Sequence, residues 1–511
     1  MPGYPRPSEV AALTLGEVAA ALGMGAPDGG AAVSVTGITH DSTLVRPGDL
    51  YAALAGARRH GAEFAVHARD SGAVAILTDQ VGAGLAAGSD LPALVVADPR
   101  AVLGSAASAV YGDPTRDLTV IGITGTAGKT TAAYLIESGL AAAGRTTCMI
   151  GTVETRIAGL TISSVRTTPE ATDLHALFAI ARDRGADAAV MEVSSHALAY
   201  GRVGGVRFDI GAFTNFGVDH LDFHADVDDY FAAKAKLFDG RCRVEVLNWD
   251  DPAVRRLARP GRVTFSALGD HEATWWAEKI SGDAGAFGQH FLAVGPDGAH
   301  VPARVALPGR HNVANALLAL ACLVGAGIDP ATAAEGIAAC PGVPGRLERV
   351  DAPGPVLGVV DYAHKPDAIV AALAALREGA TGRLICVIGA GGDRDAGKRP
   401  TMGAAAAAGA DVVVVTDDNP RTEDPAVIRA AVLARARATP GAVRVVEVAG
   451  RRDAIAAAVA LAGPGDVIAV LGKGHETGQE TAGTVAPFDD RLELAAALAD
   501  RFASGQFGSG S

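Results

Sequence analysis

The segment that most restricts what this chain can fold into runs from Thr119 to Thr131. Thr119-Val120-Ile121-Gly122-Ile123-Thr124 is a short β-branched, apolar run of the kind that forms a buried strand. It leads into Gly125-Thr126-Ala127-Gly128-Lys129-Thr130-Thr131 and then a helical stretch expected from Ala132 onward. A strand, a glycine-rich turn, a lysine and a hydroxyl at a helix N-terminus together cradle nucleotide phosphates. Backbone N–H groups point at the anion, Lys129 neutralises the β and γ oxygens, and Thr130 can hold Mg²⁺. The strict motif has glycine where Ile123 stands, so this is a variant form. An ordinary glycine turn is the competing reading, but Gly128-Lys129-Thr130 at a strand-to-helix junction favours the nucleotide. Kinases, motors, switches and ligases all use such a loop, so the rest of the chain must name the reaction.

A chain of 511 residues exceeds one core and fits about three domains. Short β-branched runs alternate with alanine-rich helical stretches, the pattern of parallel α/β domains. Two joints are rich in turn residues: Tyr111-Gly112-Asp113-Pro114-Thr115-Arg116 and Cys340-Pro341-Gly342-Val343-Pro344-Gly345. They divide the chain into residues 1–116, 117–345 and 346–511. The stretch from Asp270 to His300 has weak periodicity and is expected to be a hairpin or a surface insertion in the middle part. The tail after Phe502 reads as flexible.

Formal net charge is −13, from 44 basic and 57 acidic side chains, with no basic stripe, so no nucleic-acid partner is expected. Cys148, Cys242, Cys322, Cys340 and Cys386 are scattered without metal-ligand spacing and read as small, reduced core residues. No apolar stretch of about 18 residues is free of charges and breakers, and the N-terminus has no basic region followed by an apolar run. A soluble cytoplasmic enzyme is expected.

Polar groups cluster at the ends of later strand patterns. The run Asp187 to Val193 ends beside Ser194, Ser195 and His196, and Glu192 at a strand end beside the phosphate loop suits Mg²⁺. An ordinary loop acid is the alternative. The strand pattern Asp209 to Phe213 runs into Asp219, His220, Asp222 and His224. Two histidines so spaced could mean zinc, but no cysteine or third histidine lies near in sequence, and His220 reads better as a phosphate or metal-shell group. Lys234 and Lys236 lie on an alanine-rich helical segment, where spacing alone leaves both solvated.

Ten segments then fall into one order. They are Gly122 to Thr131, Thr167-Thr168-Pro169, Glu192 to His196, Asp219-His220-Leu221-Asp222 and Gly309 to Asn315. Gly345-Arg346-Leu347-Glu348, Asp361-Tyr362-Ala363-His364, Gly391 to Asp395, Asp418-Asn419-Pro420-Arg421 and Gly472-Lys473-Gly474-His475-Glu476 complete them. With these, the chain resembles the Mur ligase family in its MurE type, across all three proposed parts. The resemblance implies an N-terminal α/β UDP-binding domain, a central phosphate-loop domain with a parallel sheet, and a C-terminal Rossmann-like α/β domain. It implies an ATP-dependent amide ligase that activates the free carboxylate of UDP-N-acetylmuramoyl-L-alanyl-D-glutamate as an acyl phosphate and couples it to diaminopimelate, taken as the commoner meso isomer, since the sequence does not separate meso from LL.

The same resemblance assigns residues. Lys129, Glu192, His220 and Lys234 become catalytic, with Lys234 as an N6-carboxylysine carrying a CO₂-derived carbamate. Thr130, Glu192, His220 and Lys234 become the Mg²⁺ set, and Lys236 stays on the surface. ATP contacts are Gly125, Thr126, Ala127, Gly128, Lys129, Thr130, Thr131, Asn312, Asn315, Arg346 and Asp361. His40, Ser42, Arg58, Arg59, His60, Thr167, Thr168, Ser194 and Arg202 face the UDP-muramyl dipeptide. Tyr200 stands where better-known members carry a glutamine, and it is assigned no role.

Diaminopimelate falls to Arg394, Asp418, Asn419, Pro420, Arg421, Gly472 and Glu476. Diaminopimelate differs from lysine by a second carboxylate, for which arginine's planar fork is suited. A sister ligase with another amino acid and a nucleotide-driven switch are the alternatives. A monomer without membrane attachment is expected.

Overall fold

Uninterrupted apolar runs such as Val120 to Ile123 and Val412 to Val415 cannot present a polar face to water, so they form strands covered on both sides. The computed structural model describes residues 3–25, 27, 29–282, 287–439 and 444–502; the tail after Phe502 lies outside the described residues. The chain divides into two compact units. One is Met1–Ser266 with Asp270–Trp275 and Leu317–Gly336; the other is Ala267–Gly269 with Trp276–Ala316 and Ile337–Ser511.

The first unit begins with a four-stranded parallel sheet in the order Gly37–Thr39, Asp49–Ala52, Ala75–Thr78, Ala93–Val95. A larger sheet follows. Its order is Leu160–Ser163, Glu154–Ile157, Thr147–Ile150, Ala188–Glu192, Thr119–Thr124, Phe208–Phe213, Cys242–Asn248 and Val263–Ser266. The pairings from Thr147–Ile150 to Val263–Ser266 are parallel. The expected strand Thr119–Thr124 is therefore central. Its neighbours are the strand that ends in Glu192, with Glu192 opposite Ile123, and the strand that ends in Phe213, opposite Thr124. The chain passes to one side of this strand and then to the other, which opens a crevice at the carboxyl ends where α/β sheets bind ligands.

The second unit holds a six-stranded sheet, Glu348–Val350, Leu357–Asp361, Val467–Leu471, Leu384–Ile388, Val412–Val415 and Arg444–Glu447. All of its pairings except the first are parallel. Ile385, Val387, Val414, Ile455, Val470 and Leu494 are among its core residues.

Several expectations need correction. The helix after the phosphate loop begins at Lys129, three residues before the expected start, because Gly128 takes a left-handed φ of 84° and serves as its N-cap. The stretch 270–300 is more than a hairpin. Trp275–Gly282, Gln289–Val294 and His300–Val305 form an antiparallel meander, with an irregular register between Glu278 and Ser281; residues 283–286 lie outside the described residues. Lys236 is exposed, but Lys234 is only 1% exposed, contrary to the solvated surface that its spacing implied. The helix Val227–Ala235 turns Tyr230, Phe231, Ala233 and Lys234 inward together, so the lysine rides on the apolar face.

One ion pair ties the second unit together. Arg451 and Asp490 stand at the first positions of the helices Arg451–Leu461 and Asp490–Phe502, and both are fully buried. The guanidinium makes two bonds to Asp490, of 2.7 and 2.6 Å, and a third of 2.9 Å to the Leu471 carbonyl. Asp490→Ala would strand a buried cation and is expected to cost about 3–5 kcal/mol. A urea midpoint unchanged from that of the wild type would show that the pair carries no such weight.

Candidate functional site

The phosphate loop is shaped by two glycines. Gly125 has a φ of 143°, and a Cβ there would collide with the Thr214 hydroxyl, while Gly128 turns the chain into the helix Lys129–Ala142. Lys129 folds over the loop, its Nζ donating to the carbonyls of Gly125 at 2.8 Å and Thr126 at 3.2 Å. Lys234 Nζ donates to the same Gly125 carbonyl at 2.8 Å and lies 4.6 Å from the centre of the Tyr230 ring. Tyr230 is tied in turn to the loop through Thr126 Oγ1 at 3.1 Å. Two lysines more than a hundred residues apart in sequence thus meet at one peptide group.

Glu192 is buried at its strand end. One carboxylate oxygen accepts from Thr130 Oγ1 at 3.1 Å and Thr152 Oγ1 at 3.1 Å, and the other accepts from the Thr152 N–H at 2.7 Å. A carboxylate and a hydroxyl at the head of a phosphate-loop helix are hard oxygen donors, the chemistry that Mg²⁺ prefers. The donor set at Thr130 and Glu192 therefore fits that ion.

His220 has a left-handed φ of 52°, and its Nε2 lies 3.2 Å from Asp219. Its ring meets His196 edge-on at 4.8 Å and Tyr230 at 5.9 Å. His196 also stacks on Phe223 at 4.1 Å. Burial, then His224 and Arg202, hold His196 below its ordinary pKa.

A second group lies on the same unit. Thr168 Oγ1 donates to the Glu192 carbonyl at 2.9 Å and accepts from the Ser194 N–H at 3.1 Å; Thr167 bonds Thr152 at 3.0 Å. Ser194 caps the short helix Ser195–Ala199. Arg202 and Arg100 both pair with Glu170, at 2.8 and 3.1 Å. Burial would raise the Glu170 carboxyl, yet Arg202, His40 and Arg100 hold it below its ordinary value. His40 Nδ1 lies 3.0 Å from Thr172 Oγ1.

Of the other residues assigned to the nucleotide-sugar end, Arg58 is exposed and Arg59 pairs with Glu63 at 2.7 Å. Both ring nitrogens of His60 have partners inside the domain, the Ala62 N–H at 3.1 Å and Asp79 at 3.2 Å. His60 thus caps a turn. Ser42 begins the single turn Ser42–Leu44.

In the second unit, Asn312 and Asn315 lie inside the helix Arg310–Gly325 and not at its cap. Asn312 Nδ2 donates to the Pro308 carbonyl at 2.8 Å, and Asn315 Nδ2 donates to Asn312 Oδ1 at 3.1 Å. Asp361 accepts from the N–H groups of Leu347 and Ala363, both at 2.7 Å. Burial pushes its carboxyl up, partly opposed by Arg346. The Arg346 guanidinium lies over the Tyr362 ring at 4.7 Å.

The turn Asp418-Asn419-Pro420-Arg421 follows the strand Val412–Val415, with Arg421 at a left-handed φ of 54°. That turn is held by the Gly478–Thr481 strand: the Arg421 N–H donates to the Glu480 carbonyl at 3.0 Å. Arg421 Nη1 reaches the Gly392 carbonyl at 2.6 Å, and a Cβ on Gly391 would meet Arg421 Nη1 at 3.1 Å and Arg394 Cγ at 3.9 Å. Asn419 Nδ2 donates to Glu476 at 2.9 Å. Gly472 has a φ of 117°, and a side chain there would run into the Asp418 carboxylate.

Sequence reasoning passed over three residues of these groups. Lys473, wholly buried, bridges Asn419 Oδ1 and Glu476 Oε2 at 3.0 Å each. Its place inside the quoted segment Gly472 to Glu476 was the available signal. Arg100 and Glu170 carried none, because their pairing brings distant segments together.

Family models match three stretches of the chain. They are described as Mur ligase family, catalytic domain (residues 34–111), Mur ligase middle domain (123–323) and Mur ligase, glutamate ligase domain (345–474). A UDP-N-acetylmuramoyl-L-alanyl-D-glutamate–2,6-diaminopimelate ligase of Streptomyces coelicolor is 54% identical over 505 residues, 97% of this chain and 98% of that protein. The protein of the same name from Corynebacterium efficiens is 47% identical over 518 residues, 97% of each chain. A solved structure bearing that name is 30% identical, with a TM-score of 0.70, over 96% of this chain and 99% of that one.

Burial holds His364 and His475, both beside Tyr362, down at about 4. A histidine kept neutral in the fold but free to protonate on unfolding contributes stability above its ordinary pKa of about 6.5. That contribution is lost as pH falls toward 4. The urea midpoint of the wild type is expected to drop more between pH 7 and pH 4.5 than that of His364→Gln; equal drops would remove His364 from the acid response.

Proposed function

Because this chain belongs to the Mur ligase family, we propose that it joins meso-diaminopimelate to UDP-N-acetylmuramoyl-L-alanyl-D-glutamate with ATP, in peptidoglycan precursor synthesis. It is an ATP-dependent acid–amino-acid ligase. The observation that carries the amino-acid assignment is the turn ending in Arg421, which bonds the Gly392 carbonyl, with Asn419 bonded to Glu476 beside it. The Arg421 guanidinium, with Arg394 on the neighbouring loop, suits the extra carboxylate that separates diaminopimelate from lysine, while Glu476 and Asn419 suit an ammonium.

A carboxylate resists attack by an amine because oxide is a poor leaving group. Transfer of the γ-phosphoryl group of ATP to one of the two free carboxylates of the dipeptide's glutamate gives an acyl phosphate. The amine of diaminopimelate adds to its carbonyl carbon, and the tetrahedral intermediate expels phosphate. Two anions must approach in the first step, so cations and oriented dipoles govern its barrier. The N–H groups of Gly125 to Thr131 and the Lys129 ammonium bind the β and γ phosphates. Asn312, Asn315, Arg346 and Asp361 are the nucleotide contacts of the second unit.

Mg²⁺, held by Thr130, Glu192, His220 and a CO₂-derived carbamate on Lys234, would neutralise charge between the phosphates and the acceptor carboxylate. The shared Gly125 carbonyl supports the carbamate, since it turns one of two neighbouring cations into an anion. Arg202, Thr167, Thr168 and Ser194 hold the dipeptide, and His40, Ser42, Arg58, Arg59 and His60 serve the nucleotide-sugar end. Asp418, Pro420 and Gly472 shape the amino-acid site. The working division is residues 1–116, 117–345 and 346–511, in a cytoplasmic monomer.

Purified protein with ATP, Mg²⁺ and the UDP-linked dipeptide is expected to release ADP with meso-diaminopimelate, and not with lysine or D-alanyl-D-alanine. Arg421→Ala is expected to raise the KM for diaminopimelate by about 10- to 100-fold, the loss typical of a charge-assisted pair, with little change in that for ATP. Release with lysine would overturn the role of Arg421, and release without any amino acid would favour a nucleotide-driven switch.

A further inference from the structure

The surroundings of Tyr200 give it a use. It follows the short helix Ser195–Ala199 and keeps 41% of its surface exposed, too much for a residue whose task is to fill a core. The guanidinium carbons of Arg100 and Arg202 lie 5.5 and 5.6 Å from its ring centre, within the range of a cation–π attraction. Both arginines also share the Glu170 carboxylate, so each is fixed by a charge and by the same aromatic ring.

Tyr200 also meets the Phe223 ring, at 5.2 Å. Phe223 stacks on His196, whose ring meets His220. One row of rings thus runs from the paired arginines to the histidine of the reacting centre. A glutamine could bond either end of this row, but it has no π face and could not join the two arginines to Phe223.

We propose that Tyr200 is a positioning residue that fixes Arg100 and Arg202 through its ring, so that both guanidiniums are set for the anionic dipeptide substrate. This rests on the reading that Arg202 faces that substrate. Pre-setting two long, flexible cations lowers the ordering cost of binding without adding a contact to the ligand. The effect therefore belongs in the KM for the UDP-linked dipeptide.

The full-length enzyme is assayed for ADP release as the wild type, Tyr200→Phe, Tyr200→Leu and Tyr200→Leu combined with Arg100→Ala. Phe keeps the ring and should keep the wild-type KM. Leu keeps apolar packing on Phe223 but lacks the π face, and it should raise the dipeptide KM by about 3- to 10-fold, with the KM for ATP unchanged. In the Arg100→Ala background the Leu substitution should cost less, because part of what it disturbs is already absent. A Leu variant with the wild-type dipeptide KM, or one whose KM for ATP rises equally, overturns the proposal. So does a Phe variant as impaired as Leu. A wild type that releases ADP without the dipeptide overturns instead the substrate reading on which the proposal rests.

Discussion

The site is organised around one carbonyl oxygen. Lys129 and Lys234 each place an ammonium 2.8 Å from the oxygen of Gly125, so the two cations stand no farther apart than the sum of those distances. Like charges so close in a largely buried place repel strongly. The arrangement becomes favourable when anionic charge is brought in, by phosphate oxygens at the loop or by conversion of one amine. Helix Val227–Ala235 serves this end by carrying Lys234 on its apolar face, and Tyr230 secures that helix to Thr126 of the loop. Glu192, one strand away, supplies the opposite charge beside Thr130. Much of the first unit's core, with Val120, Met191, Phe213 and Phe238 among its members, holds these strands in register.

The second unit also fixes buried polar groups by their mutual bonds. Arg451, Lys473 and Asn419 are buried cationic or amide groups, and each has a carboxylate partner in Asp490 or Glu476. Removing water from such groups costs free energy, which their mutual bonds offset only when the geometry is good. What they gain is fixed orientation. Asn419 accepts from both Lys473 and the Glu480 N–H, so the turn that ends in Arg421 is anchored on two sides.

Local order was legible in the sequence. The strand Thr119–Thr124 fell where its β-branched run put it, and Glu192 stood at a strand end because the apolar run stopped there. The α/β class followed from the alternation of such runs with helices. What spacing could not show was the consequence of contacts between distant segments. Lys234 on an alanine-rich helix looked solvated, because the loop carbonyl of Gly125 that it meets lies 109 residues earlier in the chain. His196 was invisible as a neighbour of His220 for the same reason, as was the joining of Arg100 and Arg202 by Glu170. The meander that begins at Trp275 was hard to read because glycines and an irregular register blur its period of two.

The central claim is that ATP activates the acceptor carboxylate as an acyl phosphate, and oxygen bookkeeping tests it most directly. UDP-linked dipeptide labelled with ¹⁸O in the glutamate carboxylate that becomes the amide would be turned over with ATP and diaminopimelate, and the released phosphate analysed by mass spectrometry. One labelled oxygen per phosphate is the predicted result, since the carboxylate oxygen that attacks the γ phosphorus leaves with it. Unlabelled phosphate accompanying amide formation would contradict the account, because hydrolysis would then draw its oxygen from water.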